Sequence, residues 1–419
     1  MTTPTMPERL RDDPDFRRYW LARALSITGS MVTAIALPVL VYRLSGSTVL
    51  TAMVTALEAA PYLLTGLFAG ALADRWNRRR VMVNADLVNA VLVGSVPVAH
   101  LLDILTVAHV LVVAFVVQAV YTFFDGANFG ALPVLVGRAR VAQANSAVWT
   151  ASSLIELFVP ALAGLSLAIL DPASLLALDA LSFVASALAV RGIVRAMSEQ
   201  REGQLPLRPR VVFADIAEGV RFLVQHAGVR TMTIVNSLQS FAGGGFMALM
   251  VVWCDRVLHV GTSGLRFGIV WGTWGIGGLI AALGLPRLLK RMSPAAITLY
   301  ALPVSAALGI VAPLSPGWEA AAIALLVWGS AYVLVIVNAI SYRQQVTPEH
   351  LLGRVNTAGR MLSWGVGWTF GSVTGGILGN RFGIRTGMVL MGCFLLVAVV
   401  VAWTSPLRRI AATHDPAAA

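Results

Sequence analysis

Charged side chains are scarce in this sequence. Only 12% of the 419 residues are charged, whereas 57% are hydrophobic, and soluble domains carry roughly 25% charged residues. A soluble fold would therefore lack much of its polar surface. Apolar runs of about twenty residues recur along the whole chain instead, which is the length of a helix that crosses a bilayer. Because lipid offers no partner to open strands, these runs predict an all-α membrane protein.

Cysteine is nearly absent as well. The two cysteines, Cys254 and Cys393, lie in or beside apolar runs, so the sequence indicates neither a disulfide framework nor a zinc site. It also lacks an ATP-binding motif, an HExxH motif and the serine–lysine pair or aspartate cluster of intramembrane enzymes. We therefore expect a protein that is not an enzyme and has no catalytic residue, no metal and no cofactor, with a proton gradient as its energy source.

The net charge of +11 is not the footprint of a nucleic-acid-binding protein. If the amino terminus is cytoplasmic, most arginines fall on the cytoplasmic side of the apolar runs. The few on the outer side are Arg43, Arg256, Arg381 and Arg385. This asymmetry follows the positive-inside rule and predicts that both termini are cytoplasmic. We expect a multi-pass monomer of a bacterial cytoplasmic (inner) membrane, with the lipid bilayer and a hydrophobic small molecule as its partners.

About twelve spans are predicted. They are Tyr19–Tyr42, Thr48–Leu72, Val81–Leu101, Leu105–Asn128, Val141–Ile169, Ser174–Val194, Val229–Trp253, Ser263–Leu285, Ala295–Ala312, Trp318–Ser341, Val355–Leu378 and Met388–Pro406. Residues 1–194 would form one six-helix half and residues 229–406 the other, with a cytoplasmic tail at 407–419. Residues 195–228 would form a cytoplasmic linker that is either a plain connector or carries an amphipathic helix on the membrane surface.

The two predicted halves repeat each other. Asn128–Val136 aligns with Asn338–Val346, and Gly164 aligns with Gly375. Two six-span halves related by a parallel repeat are the architecture of the major facilitator transporters.

Three polar segments carry a resemblance to a known family. Residues Gly70 to Arg80 read GALADRWNRRR, which resembles the cytoplasmic loop signature of the major facilitator superfamily, with Asn77 in place of a glycine. Residues Asp215 to His226 resemble the helix before the seventh span of its drug and siderophore exporter branch, which includes macrolide-efflux and enterobactin-exporter proteins. Residues Gln344 to Asn356 resemble the loop before the eleventh span of the same branch. The resemblance implies the major facilitator fold, about 12 transmembrane helices in two six-helix halves.

The resemblance also implies a cytoplasmic gate, in which the first loop latches the two halves together. The matching residues are Gly70, Asp74, Arg75, Arg78, Arg79 and Asp86. Alternatively, the loop arginines are only topology signals that bind anionic lipid. For Asp86 we expect an inner polar network with Arg75 or Arg79 rather than transport chemistry.

Two carboxylates are predicted inside the membrane. Glu58 lies near the middle of the second span and Glu156 near the middle of the fifth, where an ionised group costs about 2.5–3.5 kcal/mol. Each precedes a proline, Pro61 or Pro160, that bends the helix by freeing a carbonyl. Because burial favours the protonated acid, these groups could exchange a proton during transport; alternatively, they are neutral acids that only hydrogen-bond inside the bundle. Gly164 belongs to the same bending segment, in a degraded antiporter-like signature.

Four further polar residues are candidates for the substrate cavity. Arg23 and Arg360 are cations in the inner third of their spans, either gate partners of carboxylates or snorkelling side chains. Asp125 and Asn128 end the fourth span, where the family has other residues, so their local roles stay open.

These features predict a proton-coupled secondary transporter that exports hydrophobic, antibiotic-like small molecules by alternating access. One alternative is an exporter of siderophores or other metabolites with the same machinery. A second is a non-transporting membrane sensor or scaffold, in which the carboxylates are only structural.

Overall fold

The computed structural model describes residues 10–64, 76–198, 209–348 and 351–412. Within these ranges the chain consists of helices and loops, without a strand. The helices of the first half are α1 (Pro14–Ser45), α2 (Thr48–Ala59, continued by Pro61–Leu64), α3 (Arg78–Leu101), α4 (Val107–Val136), α5 (Val141–Ser166) and α6 (Pro172–Arg191). We call the end of the bundle at which α1 begins, which is predicted to be cytoplasmic, the inner end, and the opposite end the outer end.

The remaining helices follow the linker. They are α7 (Pro209–Gln225), α8 (Ala227–Arg256), α9 (Gly264–Leu289), α10 (Pro294–Val311), α11 (Trp318–Val346), α12 (Leu352–Arg360, the π-helical Met361–Trp368, and Thr369–Phe382), α13 (Ile384–Thr404) and α14 (Leu407–Ala412). Ten helices of the described ranges are long and apolar enough to cross a membrane. The interrupted helix α12 lies in the eleventh predicted span, and α2 lies in the second, of which residues 65–72 are outside the described ranges. The all-α fold is confirmed.

The ends of the spanning helices are set by short polar side chains. Asp13, Ser47 and Thr106 each accept a hydrogen bond from a backbone N–H in the first turn of the helix that follows, which satisfies donors that a helix leaves free at its start. Gly46 ends α1 with a φ of 62°, a left-handed conformation that glycine adopts without strain.

The packing of the second half repeats that of the first. In the first half α6 packs against α1 and α3, α3 packs against α4, and α1 packs against α5. The corresponding pairs of the second half are also in contact: α13 with α8 and α10, α10 with α11, and α8 with α12. The predicted six-span repeat is therefore present in the helix packing.

Two seams join the halves, and small residues form both of them. At the first seam α5 packs against α9: a Cβ on Gly268 would lie 2.6 Å from the carbonyl oxygen of Pro160. At the second seam α2 packs against α12, and a Cβ on Gly376 would lie 2.6 Å from the Cβ of Ala52. Without large side chains between them, the backbones of the two halves come into direct contact.

The linker helix α7 packs on the second half. A Cβ on Gly219 would lie 2.9 Å from the backbone of Arg354 at the start of α12, and Glu218 forms an ion pair with Arg354. Leu223 of α7 is buried in the inner core of the second half. A helix is thus formed in the predicted linker, and Leu223 on it packs against the second half while Val224 is exposed.

Candidate functional site

A cavity of about 800 Å³ lies between the two halves. The first half contributes the acidic side chains of its wall, whereas the second half contributes mainly aromatic and small ones. The acidic lining residues are Glu58, Glu156 and Asp179, and the aromatic lining residues of the second half are Trp271, Trp274, Tyr332, Trp364 and Trp368. One side of the cavity can therefore exchange protons or hold a cation, and the other offers an apolar, polarisable surface.

Both predicted intramembrane glutamates reach this cavity. Glu58 is half-buried on α2, two residues before Ala60, where that helix is interrupted. Glu156 is exposed on α5, and its backbone carbonyl, which Pro160 leaves without an intrahelical donor, lies beside Gly275 of α9. Each carboxylate thus stands beside one of the two seams, where a movement between the halves would change its surroundings.

The glycine of the bending segment has a packing role. A Cβ on Gly164 would lie 2.6 Å from the carbonyl oxygen of Gly264 and 2.8 Å from the Cα of Gly268. Gly164 therefore permits the close approach of α5 and α9 at the first seam.

The π-helical segment of α12 shapes the aromatic wall. Its Trp364 and Trp368 stack with their ring centroids 4.9 Å apart, and both line the cavity. A Cβ on Gly367 would lie 2.6 Å from the carbonyl oxygen of Ser237 of α8. The wider π-helical turn is a common feature of functional sites, and here it directs two tryptophans towards the cavity.

Sequence reasoning missed a third acid of the cavity, Asp179 on α6. Its carboxylate accepts hydrogen bonds from Thr33 of α1 and from Ser182, the latter at 3.0 Å, and it lies against Gly29. The signal was present in the sequence, because a carboxylate in mid-span is as conspicuous at position 179 as at position 58. Asp179 differs from the two predicted glutamates in having no proline after it.

The other four predicted cavity residues form a cluster at the inner end. Asp125 of α4 accepts a hydrogen bond from Arg360 of α12 at 3.3 Å, so Arg360 is the partner of a carboxylate, one of its two predicted roles. Asn128 accepts a hydrogen bond from the Tyr19 hydroxyl at 2.6 Å. Arg23 of α1 lies beside them, with its guanidinium carbon 5.4 Å from the centre of the Phe124 ring.

The predicted gate motif is described only in part. Gly70, Asp74 and Arg75 lie outside the described residues. Arg78 donates to the carbonyl of Gly130 at 2.9 Å, and Arg79 donates to the carbonyl of Arg195 at 2.5 Å. These contacts join the start of α3 to α4 and to the end of α6, all within the first half.

The pairing of Asp86 with Arg79 is wrong for this structure. Asp86 is buried and its carboxylate accepts a hydrogen bond from Ser186 of α6 at 2.6 Å. Arg79 points instead to backbone carbonyls beyond the end of α6. The reason is the position of Asp86 two helical turns into α3, where it faces α6 and not the loop.

Two six-helix halves that enclose a polar and aromatic cavity at their interface form the architecture that is typical of secondary transporters. A profile of the family described as transmembrane secretion effector matches residues 8–419. The chain belongs to this family, a branch of the major facilitator superfamily that includes drug and siderophore exporters.

Curated relatives extend over nearly the whole chain. The multidrug efflux pump Tap of Mycolicibacterium fortuitum is 30% identical over 401 residues, 93% of this chain and 95% of that protein. Macrolide efflux protein A of Streptococcus pyogenes is 22% identical over 94% of this chain and 97% of its own. The enterobactin exporter EntS of Salmonella typhimurium is 26% identical over 88% and 85%, respectively.

Solved structures show the same fold. The nucleoside transporter NupG superposes with a TM-score of 0.73 at 13% identity, covering 96% of this chain and 100% of that structure. A bacterial homologue of the iron transporter ferroportin in the inward-facing state gives a TM-score of 0.72 at 15% identity, covering 93% and 98%. At these identities the likeness concerns the fold alone.

Proposed function

We propose that the chain is a proton-coupled exporter of hydrophobic small molecules and works by alternating access. The observation that carries this proposal is the shared cavity, which has Glu58 and Glu156 on one wall and stacked tryptophans on the other. A volume of about 800 Å³ falls within the range of sites for drug-sized ligands. The drug and macrolide efflux relatives support the same class of substrate.

The mechanism follows from the position of the carboxylates. An ionised glutamate attracts a cationic group on a hydrophobic substrate, whereas a protonated glutamate is neutral and loses this attraction. Substrate and proton would therefore occupy the cavity in turn, and protonation from the outer side would accompany release of the substrate. Because Glu58 and Glu156 lie beside the two seams, rocking of the halves would expose them to one side of the membrane and then to the other. Protons entering from outside would then drive the return of the empty carrier.

The orientation and assembly state belong to the same proposal. The arginine distribution supports a cytoplasmic inner end, with both termini on that side of a bacterial inner membrane. We expect a monomer that needs no cofactor besides the proton gradient, and that transports its substrate without catalysing a reaction on it. A fluorescent protein fused to the carboxyl terminus should fluoresce if that terminus is cytoplasmic.

The test is transport in proteoliposomes under an imposed pH gradient, with ethidium and a radiolabelled macrolide as probes. Glu58→Gln and Glu156→Gln together should abolish gradient-driven transport. Substrate exchange without a gradient should persist, because the cavity keeps its shape. Glu319→Gln, which changes an exposed glutamate at the start of α11, is the matched control. Full gradient-driven transport by the double variant would refute proton coupling through these residues.

The siderophore alternative is tested in the same liposomes. Relatives that export enterobactin support a catecholate siderophore as a third probe. If only the siderophore is transported, the protein does not export antibiotic-like molecules as proposed. The proposed proton-coupled mechanism would still hold. A protein that binds the probes and transports none of them would instead be a sensor.

A further inference from the structure

A second cavity, of about 400 Å³, lies between α1, α4 and α5. It shares Trp149 and Glu156 as wall residues with the central cavity. Its other polar lining side chains are Tyr19, Arg23, Asn128, Asn145 and Ser152. Of this lining the proposed transport cycle uses only Glu156. The composition of the second cavity differs from that of the central cavity because it contains a buried arginine.

Arg23 is the unusual member of this group. Only 9% of the residue is exposed, and its Nε and Nη1 atoms are buried without a hydrogen-bond partner among the described residues. A guanidinium group carries five N–H donors and stays charged in proteins. Removing such a charge from water costs several kcal/mol unless hydrogen bonds or an opposite charge compensate. Arg23 is thus a cation that lines the cavity, and part of its hydrogen-bonding capacity has no partner.

The acids nearest to Arg23 have other partners. Asp125 accepts a hydrogen bond from Arg360, and Asp86 accepts one from Ser186. Across the described ranges, no carboxylate lies within ion-pair distance of Arg23. Among the described residues Arg23 therefore has no ion-pair partner of its own, although the Tyr121 hydroxyl forms a hydrogen bond with it and Asp125 lies near enough to interact with its charge.

The neighbouring amide is oriented as a donor. Because the Tyr19 hydroxyl donates to the Oδ1 atom of Asn128 at 2.6 Å, this bond does not use the Nδ2 amino group of Asn128, which also lines the cavity. A cationic and an amide side chain at one cavity suit an oxyanion, since hydrogen bonds to carboxylate or phosphate are strong when the donor is ionised.

The rest of the lining is apolar. Phe129 is 86% exposed and Trp149 is 67% exposed. The other apolar lining residues are Leu132, Pro133, Val141 and Val148. A small inorganic anion would leave these side chains uncovered, whereas an apolar chain attached to the anionic group would cover them.

We propose that the cavity between α1, α4 and α5 binds an amphiphilic anion, with Arg23 and Asn128 holding its carboxylate or phosphate group. Carboxylate and phosphate groups are both oxyanions and would be bound by the same donors. A fatty acid would supply the carboxylate, and a phospholipid-like molecule would supply the phosphate. Binding at equilibrium needs no gradient, so this proposal is tested separately from proton-driven transport, although Glu156 belongs to both. Glu156 faces the same space from α5, so its negative charge opposes the ligand.

The test is equilibrium binding to the full-length protein in phosphatidylcholine nanodiscs, with radiolabelled decanoate as the probe. Wild-type protein should bind decanoate saturably, and decyl phosphate should displace it. Arg23→Gln should weaken binding at least tenfold, and Arg23→Lys should restore part of the loss. Glu156→Gln should bind as tightly as the wild type or more tightly. Arg385→Gln, an exposed arginine at the outer end, is the matched control and should stay within twofold.

A second variant keeps the proposal testable if Arg23→Gln does not fold. Asn128→Asp retains Arg23 and replaces a donor by a negative charge, so it should also weaken decanoate binding at least tenfold. Comparison of decanoate with decyl phosphate distinguishes a fatty acid from a phosphate lipid as the preferred source.

Four results would overturn the proposal. The first two are the absence of saturable decanoate binding to the wild-type protein, and equal binding to Arg23→Gln. The third is displacement by decanol, acetate or inorganic phosphate at the same concentrations as decyl phosphate, which would mean that only one half of the amphiphile is recognised. The fourth is loss of binding in Glu156→Gln instead of Arg23→Gln, which would mean that the cavity takes a cation.

Discussion

Asp125 of α4 and Arg360 of α12 form an ion pair between the two halves, with 3.3 Å between the Oδ2 and Nη2 atoms. The guanidinium carbon of Arg360 also lies 5.2 Å from the centre of the Tyr62 ring of α2. These contacts link the halves at the inner end of the central cavity. A conformational change that opens this end must separate Asp125 from Arg360.

We predict that Asp125→Asn makes the cavity more accessible from the inner end. The pair is partly exposed, and such pairs contribute about 0.2–1 kcal/mol, so the expected increase is about 1.4- to fivefold. The measurement is the labelling rate of Ser153→Cys, a cavity residue, by an impermeant maleimide, in a protein whose Cys254 and Cys393 are replaced by alanine.

Arg360→Gln should have at least the effect of Asp125→Asn, because it also removes the contact with Tyr62, and the double variant should add nothing beyond Arg360→Gln. Arg385→Gln serves as the control for a lost arginine. Additive effects of the two single changes would show that the ion pair does not hold the inner end closed.

The outer end has its own link between the halves. The hydroxyl of Tyr42 on α1 donates to Asp255 at 2.7 Å and accepts from Arg256 of α8 at 2.9 Å. We predict that Tyr42→Phe raises labelling of Ser153→Cys from the outer side about fivefold, since a hydrogen bond contributes roughly 1 kcal/mol. Tyr300→Phe, an exposed tyrosine, should change nothing. An increase from the inner side instead would contradict the role of Tyr42.

The lengths of the apolar runs predicted correctly where the helices are, but they predicted the residues at which the helices end less accurately. The fourth span was predicted to end at Asn128, but α4 continues to Val136. The reason is that polar residues such as Asp125 and Asn128 find partners inside the bundle, whereas their polarity suggested a loop. The π-helical part of α12 was not predicted, because its shifted hydrogen bonds depend on the fit of Gly365 and Gly367 against α2 and α8.

A cavity residue could be predicted from the sequence where its own side chain is unusual in an apolar run. It could not be predicted where its role depends on residues far away in the sequence. Glu58 and Glu156 stand out because a carboxylate in an apolar run needs a reason, and both line the cavity. The pairing of Asp125 with Arg360 joins residues far apart in sequence, which no single-sequence pattern encodes. The Nε and Nη1 atoms of Arg23 lack a partner among the described residues, which is likewise a property of its neighbours and cannot be derived from the residue alone.

Gly268 tests the seam between α5 and α9. A Cβ at this position would lie 2.6 Å from the carbonyl oxygen of Pro160 and 2.8 Å from the Cα of Ala161. Because backbone atoms cannot yield locally, Gly268→Ala should push the halves apart, lower the apparent melting temperature and reduce transport severalfold. Heating followed by size-exclusion chromatography measures the first effect.

Gly284 lies on the same helix with nothing within 4 Å of its Cβ position. Gly284→Ala should therefore be neutral or stabilising, because alanine favours a helix over glycine by about 1 kcal/mol. Equal melting temperatures for the two variants would mean that the seam adapts to a methyl group.

Asp13 fixes the start of α1 to the end of α6. Its side chain is fully buried, accepts hydrogen bonds from the N–H groups of Asp15 and Phe16, and pairs with Arg195 at 2.8 Å. Arg195 also donates to the carbonyl of Leu135 at 2.8 Å, so three helices meet at this pair. Removing one partner of a buried pair costs about 3–5 kcal/mol.

Asp13→Asn should therefore lower the apparent melting temperature by several degrees, measured by the same heating assay. The neighbouring Asp12 is exposed, and the nearest guanidinium nitrogen of Arg11 is 3.9 Å away. Asp12→Asn removes the same charge one residue earlier in the chain and should leave the melting temperature unchanged. If Asp13→Asn and Asp12→Asn lower the melting temperature equally, the loss of negative charge near the first span is responsible. The buried pair with Arg195 then contributes nothing measurable.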